Sequence, residues 1–193
     1  MSSERKPSAP VAGVNPTTVV EPIFQQLVAT GMAAALQYLK TEAKLISMLG
    51  PIDADVTRYA LVGSLSLVMG FYAAMVNKAR VNYNVPWPFL MLNKGDKNAI
   101  EYNAVQRAHA NHAEAAIFLV PVILVIAPLA PATILVNSLL WCWGKFLMNY
   151  TYATATDTGK RFMIGGWSYL PYFALQGYVW LGLAAKLGLT TLV

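Results

Sequence analysis

The sequence predicts an all-α integral membrane protein, a four-helix bundle with an additional N-terminal amphipathic helix. Of its 193 residues, 56% are hydrophobic and only 12% are charged, whereas a soluble domain carries about 25% charged residues. Four apolar segments each have the roughly 20 residues that a bilayer core requires. We expect these segments to be helical, because lipid cannot satisfy exposed backbone groups.

The N-terminal arm, residues 1–51, begins with a Ser-, Pro- and Ala-rich stretch that lacks the apolar core of a secretory signal. A helix is predicted over Pro22–Leu49, with the proline at its first position and Gly50-Pro51 as its stop. Charged residues near its C-terminal end argue against a fifth span: Lys40, Glu42 and Lys44. We expect this helix to lie on the membrane surface or against a partner.

The membrane domain, residues 52–193, is predicted to contain four spans. They are Val56–Val76, Ala104–Ala127, Pro131–Ala153 and Phe162–Leu187. Asp53 and Asp55 are candidate N-caps of the first span. Lys145 interrupts the third span, and we expect Pro171 to kink the fourth.

The loop charges predict the orientation of the bundle. The first and third loops are basic, and the second is short and uncharged. The loop cations are Lys78, Arg80, Lys94, Lys97, Lys160 and Arg161. By the positive-inside rule, the first and third loops face the cytosol, or the matrix if the membrane is that of a mitochondrion. Both termini then lie on the opposite side.

A polar stripe occupies the start of the second span. Arg107, Asn111 and Glu114 fall at i, i+4 and i+7, so they share one helix face. Ionisable side chains inside a membrane helix mark a functional site by default. A cation, an amide and a carboxylate can hold a small zwitterion, or they can satisfy one another as a network between helices; the sequence leaves both interpretations open.

The third span carries a matching stripe of Lys145, Asn149 and Tyr152, again at i, i+4 and i+7. The ends of the two spans that bear these residues approach the same basic side, so the stripes should meet at one depth. A paired or ligand-bound Lys145 is favoured over one that extends to the interface. Cys142, one turn earlier, is interpreted as a small buried hydrophobe.

Several function classes receive little support. His109 and His112 have the wrong spacing with Glu114 for a helical metal site, so no metal is expected; His109 should instead line a polar cavity or reach the head groups. Basic residues are scattered, which argues against nucleic-acid binding. A channel or transporter is not indicated, because the spans lack discontinuous inverted repeats.

Three motifs resemble the MAPEG family, the membrane-associated proteins of eicosanoid and glutathione metabolism. They are Lys78-Ala-Arg-Val-Asn-Tyr-Asn-Val, Gln106-Arg-Ala-His-Ala-Asn-His-Ala-Glu and Gly144-Lys-Phe-Leu-Met-Asn-Tyr-Thr-Tyr. The second motif is similar to the family's Arg-Ala-x-x-Asn-x-x-Glu pattern. The resemblance covers about Val56 to Leu187 and is greatest to the third microsomal type of glutathione transferase.

The resemblance implies a homotrimer that holds glutathione as co-substrate between subunits in an endoplasmic reticulum or mitochondrial membrane. It implies conjugation of glutathione to lipophilic electrophiles, or reduction of lipid hydroperoxides. The residues assigned to glutathione are Arg80, Arg107, His109, Asn111, Glu114, Lys145 and Tyr152. Arg161 is the match to the thiol-activating arginine, and Lys160 is a competing candidate.

Departures from the family pattern motivate an alternative function. Lys145 stands where the family has Arg, Met148 replaces a Tyr, Thr151 replaces a Gly, and Ala115 follows Glu114 in place of an aromatic residue. These changes, together with the extra arm, favour a second hypothesis. In this hypothesis the chain is a non-catalytic accessory subunit of a larger membrane complex, and residues 1–51 form its contact with that complex.

Overall fold

The regular structure of the described chain is helical throughout. The computed structural model describes residues 17–154 and 160–191, without the side chains of residues 17–24, 38, 160 and 161. The helices are α1 (Thr17–Tyr38), α2 (Thr41–Leu49), α3 (Ala54–Tyr83), α4 (Ala99–Ile126), α5 (Pro131–Thr154), α6 (Lys160–Gly165) and α7 (Tyr169–Lys186), with a 3₁₀ turn at Gly166–Ser168.

Helices α3 and α4 are long and apolar enough to cross a membrane. They contain 30 and 28 residues, or about 45 and 42 Å of helix, against a hydrocarbon core of about 30 Å. Bulky apolar side chains point outward along them, among them Leu67, Phe118 and Val125, each at least 70% exposed. Such a surface suits contact with lipid. The predicted total of four spans stays a prediction.

The first three predicted spans each coincide with one helix, α3, α4 or α5. The predicted cap of α3 is confirmed, because the Asp53 carboxylate accepts a hydrogen bond of 2.8 Å from the Val56 amide. This bond satisfies one of the unpaired N–H groups at the helix start. Asp55 instead pairs with Arg58 one turn later, at 2.8 Å.

The fourth predicted span is wrong as a continuous helix. The chain forms α6, then a 3₁₀ turn at Gly166–Ser168, and then α7. Pro171 is not the cause of a kink, because it lies in the first turn of α7, where a missing N–H group costs no helical hydrogen bond. The break comes at Gly165 and Gly166, two adjacent residues with low helix propensity.

The predicted arm helix is also divided. It ends at Tyr38, Lys40 takes a positive φ of 53°, and α2 follows. The helix is already under way at Thr17, so Pro22 is not its first residue. Residues 1–16 of the arm lie outside the described part of the chain.

Helix α1 packs along α7 of its own chain, so the arm does not simply lie on the membrane or on a partner. Gly177 allows this approach, because a Cβ there would collide with the Ala29 carbonyl. The Trp180 indole donates a hydrogen bond of 2.7 Å to Gln26. Ala33 is fully buried and belongs to the main apolar core.

Glu42 of α2 ties the arm to the bundle. Its two carboxylate oxygens accept hydrogen bonds from the backbone amides of Ala132 and Thr133, at 2.9 and 2.6 Å. A carboxylate at this end of α5 satisfies unpaired N–H groups and complements the helix dipole. Thr57 of α3 donates to the Pro131 carbonyl at 2.9 Å, so α2, α3 and α5 meet at this end.

One apolar core joins the long helices. Its fully buried members include Leu61, Leu119, Ile134 and Leu175. Tyr72 of α3 crosses this core and donates a hydrogen bond of 2.6 Å to the Phe146 carbonyl of α5. The core holds α4 and α5 side by side. Asn149, the middle residue of the predicted α5 stripe, is buried.

Candidate functional site

The predicted stripe of the second span forms one wall of a groove, which we call the α4–α5 groove. Arg107, Asn111 and Glu114 all line it. Their spacing of four and three residues places them one above another on α4. Phe118, one turn beyond Glu114, continues the same wall with an apolar ring.

The opposite wall comes from α5 and the segment after it. Lys145, Met148 and Tyr152 line the groove from α5, and Phe162 of α6 and Tyr169 of α7 close its side. The groove holds about 450 Å³, within the roughly 300–1,000 Å³ typical of small-molecule sites. The structure therefore brings five of the predicted residues together: Arg107, Asn111, Glu114, Lys145 and Tyr152.

Arg107 and Glu114 form an ion pair across two turns of α4. The Arg107 Nη1 and Glu114 Oε1 atoms are 3.5 Å apart, and the side chains are 49% and 57% exposed. An ion pair this long and this exposed contributes about 0–1 kcal/mol to stability. A ligand with its own carboxylate and ammonium groups can therefore replace it at little cost.

Lys145 lies against the aromatic side of the groove. Its Nζ atom is 5.7 Å from the centre of the Tyr169 ring, within the range of a cation–π contact. The sequence favoured a paired Lys145 over one that extends to the interface, and the contact agrees with that interpretation. It also links α5 to the first residue of α7.

Two glycines allow α6 and the 3₁₀ turn to approach α5 closely beside this wall. A Cβ on Gly165 would lie 2.5 Å from the Gly144 carbonyl and from the Met148 amide nitrogen. A Cβ on Gly144 would lie 2.6 Å from the Ser168 Cβ. Because both distances are shorter than real Cβ contacts, Gly165 allows α6 to pack against α5, and Gly144 allows the 3₁₀ turn to do so.

Arg80 is not part of the α4–α5 groove. It is only 6% exposed, and its guanidinium donates a hydrogen bond of 2.7 Å to the Phe89 carbonyl and lies 3.9 Å from the Trp87 ring. Within one subunit these contacts anchor the loop after α3. The expectation that Arg80 contacts glutathione between subunits stays a prediction.

The remaining predicted residues have different outcomes. His109 is half-buried on α4 and is absent from the lining of the groove. The side chains of Lys160 and Arg161 lie outside the described part of the chain. Their backbone begins α6, directly before the groove residue Phe162. The described residues contain no group of three or more potential metal-ligating side chains.

His112 occupies a different position from the stripe residues. It is fully buried, between Tyr72 at 5.8 Å and Trp141 at 5.9 Å, measured between ring centres. Within the described chain neither ring nitrogen has a hydrogen-bond partner. His112 is therefore part of the aromatic core and does not belong to the groove.

Sequence reasoning missed the aromatic residues of the groove. Phe118 follows Asn111 by seven residues, so extending the stripe by one turn would have found it. Phe162 and Tyr169 were not assigned to the groove. They line it from two separate helices, α6 and α7, and the break between these helices was not predicted.

Apolar helices that can cross a bilayer, packed around one core with a polar groove between two of them, define a membrane helical bundle. The family model of the MAPEG family matches residues 59–181, well over half of the chain, and the chain belongs to that family. The match includes α4, α5, α6 and most of α3 and α7, and it leaves out α1 and α2. Comparison with curated proteins and with solved structures gave no match.

Proposed function

We propose that the protein binds glutathione in the α4–α5 groove and uses its thiol on lipophilic substrates, as a membrane transferase or peroxidase. The observation that carries the proposal is the charge set of the groove. Glutathione has two carboxylates and one ammonium group at neutral pH. The groove offers two cations, Arg107 and Lys145, and one carboxylate, Glu114.

Each polar side chain has a partner on this ligand. The planar guanidinium group of Arg107 can bind one glutathione carboxylate through two hydrogen bonds, and the Lys145 ammonium group can pair with the second carboxylate. Glu114 accepts hydrogen bonds from the ammonium group, and Asn111 can donate to and accept from a peptide unit. Arg107 and Glu114 exchange their mutual contact of 3.5 Å for contacts with the ligand.

The chemistry begins with the glutathione thiolate, which is the nucleophilic form of the thiol. In conjugation, the sulfur bonds to the electrophilic carbon and the leaving group departs with its electron pair. In peroxide reduction, two glutathione molecules become a disulfide while the hydroperoxide becomes an alcohol and water. We propose Arg161, or Lys160 beside it, as the cation that stabilises the thiolate.

Further parts of the proposal come from the family. They are a homotrimer, a similarity to the third microsomal transferase type, and an endoplasmic reticulum or mitochondrial membrane. The loop charges add an orientation with the basic loops toward the cytosol or matrix. The accessory-subunit hypothesis stays as the alternative. Met148 supports it, because this buried residue presents no hydrogen-bonding group to the groove. The extra N-terminal arm is weaker support for an accessory subunit, because α1 packs on α7 of its own chain.

Binding and turnover of the full chain in lipid nanodiscs test the proposal. Calorimetry should detect glutathione binding, and Arg107→Gln should weaken it about 10- to 150-fold, because a hydrogen bond to a charged group contributes about 1.5–3 kcal/mol. Lys186→Gln, at an exposed cation outside the groove, is the control and should bind normally.

Conjugation of an aryl halide and reduction of a fatty-acid hydroperoxide are then measured. Binding with either activity supports the enzyme, and binding without turnover supports the accessory subunit. Absence of glutathione binding by the wild-type chain would refute the proposed function.

A further inference from the structure

A second and larger groove lies beside the first, and we call it the α3–α5 groove. It holds about 670 Å³ and opens between the end of α3, the start of α4 and the end of α5. Ala153 lines this groove, whereas its neighbour Tyr152 lines the α4–α5 groove. The two grooves are therefore adjacent but separate, and the proposed glutathione chemistry makes no use of the larger one.

The inner part of the α3–α5 groove is apolar. Phe71, Met75 and Tyr150 form its bulky walls. Small side chains keep the space between them open: Ala74, Ala79, Ala104 and Ala153. Because α3 and α4 are the helices that can cross a bilayer, this apolar space opens toward lipid.

The end of the groove near the α3–α4 loop is charged. Lys78 comes from α3 and Glu101 from the first turn of α4. Both are exposed, and within the described chain neither one forms an ion pair or a side-chain hydrogen bond. Lys78 lies seven residues after Phe71, which is about 10 Å along the helix. A cation and an anion therefore lie at the charged end of the apolar α3–α5 groove.

We propose that the α3–α5 groove binds one zwitterionic glycerophospholipid of the surrounding membrane. The phosphate lies at Lys78, the head-group ammonium lies at Glu101, and an acyl chain covers Phe71 and Met75. The proposal goes beyond the proposed function and does not depend on glutathione binding.

Charge complementarity selects this ligand over other amphiphiles. An anionic lipid would place its net charge beside Glu101, and a cationic amphiphile would face Lys78. An ethanolamine ammonium has three donors for the Glu101 carboxylate. A sterol carries neither charge, and glutathione has no acyl chain to cover the apolar wall.

Native mass spectrometry of the full chain tests the proposal. The protein is taken from nanodiscs that contain equal amounts of phosphatidylethanolamine and phosphatidylglycerol with matched acyl chains, and the retained lipids are counted. The wild type should retain phosphatidylethanolamine over phosphatidylglycerol by about fivefold, since one charge near the membrane surface is worth about 1 kcal/mol. Glu101→Gln leaves only the cation, so the preference should reverse.

Steric variants supply the matched comparison. Ala74→Phe fills the groove and should lower retention of phosphatidylethanolamine, whereas Ala73→Phe, at an exposed neighbour outside the lining, should not. Glu101→Gln should leave glutathione binding unchanged, so failure of this proposal is distinct from failure of the proposed function.

Equal retention of the two lipids by the wild type, or an unchanged preference in Glu101→Gln, would overturn the assignment. It would also be overturned if Ala74→Phe separated an oligomer into single chains without reducing lipid retention. In that case the groove would be a contact between copies of the chain.

Discussion

Replacing Glu114 with Gln separates ligand recognition from protein stability. In the free protein the carboxylate is 57% exposed and its only described partner is Arg107 at 3.5 Å. An exposed pair of this kind contributes about 0–1 kcal/mol, so the thermal unfolding of Glu114→Gln should stay close to that of the wild type. In the proposed complex, Glu114 would hold the glutathione ammonium, and losing that charge should cost about 1.5–3 kcal/mol of binding.

The assay is calorimetric titration in nanodiscs with glutathione and with an analogue that lacks the γ-glutamyl amino group. Glu114→Gln should bind glutathione about 10- to 150-fold more weakly than the wild type does. Both proteins should bind the analogue with similar affinity, because the analogue offers no ammonium group to Glu114. If the substitution weakened both ligands equally, Glu114 would not be the ammonium partner, and the proposed orientation in the groove would be wrong.

Three further substitutions test the packing that forms the groove and holds the arm. Gly165→Ala adds a Cβ 2.5 Å from α5 backbone atoms and should destabilise the protein by about 1–3 kcal/mol and weaken glutathione binding. Gly166→Ala is the control, because its added Cβ would have its nearest contact at 3.7 Å and should leave binding normal. If Gly165→Ala also bound glutathione normally, the reasoning would be contradicted. Glu42→Ala removes the carboxylate that caps α5 and should cost about 1 kcal/mol in thermal unfolding, whereas Lys44→Ala should cost less. Gly177→Ala should loosen α1 and increase its amide hydrogen exchange; unchanged protection would argue against the packing of α1 on α7.

The sequence predicted the polar wall of the groove because that wall lies on two uninterrupted helices. Along one helix the period of 3.6 residues fixes which side chains share a face. Arg107, Asn111 and Glu114 were therefore assigned together, as were Lys145, Asn149 and Tyr152. The charged loops then indicated that the two sets lie at one depth. The groove contains five of these six residues, whereas Asn149 is buried.

Arg80 shows what a motif leaves open within one subunit. Its place in a family-like segment predicts a glutathione contact between subunits, and within one subunit its side chain contacts the following loop. The Phe89 carbonyl and the Trp87 ring engage the guanidinium at 2.7 and 3.9 Å, and both belong to a segment without helical periodicity. A motif records which residues occur together, but the partner that each side chain contacts depends on the path of the loop.

The aromatic wall could not be predicted for a related reason. Phe162 and Tyr169 are seven residues apart and would share a face of one continuous helix. In the structure they line the groove from two helices, α6 and α7, that are separated by a break. The break depends on the close approach of Gly165 to α5, where any Cβ would meet backbone atoms. Hydropathy detects apolar length but is insensitive to such a contact, so the fourth span was drawn as one helix. The same contact places α6, whose second residue is Arg161, beside the groove. Gly165→Ala is therefore expected to lower turnover more than substitutions in α7 do, because it moves α6, the helix that carries the proposed thiol-stabilising cation.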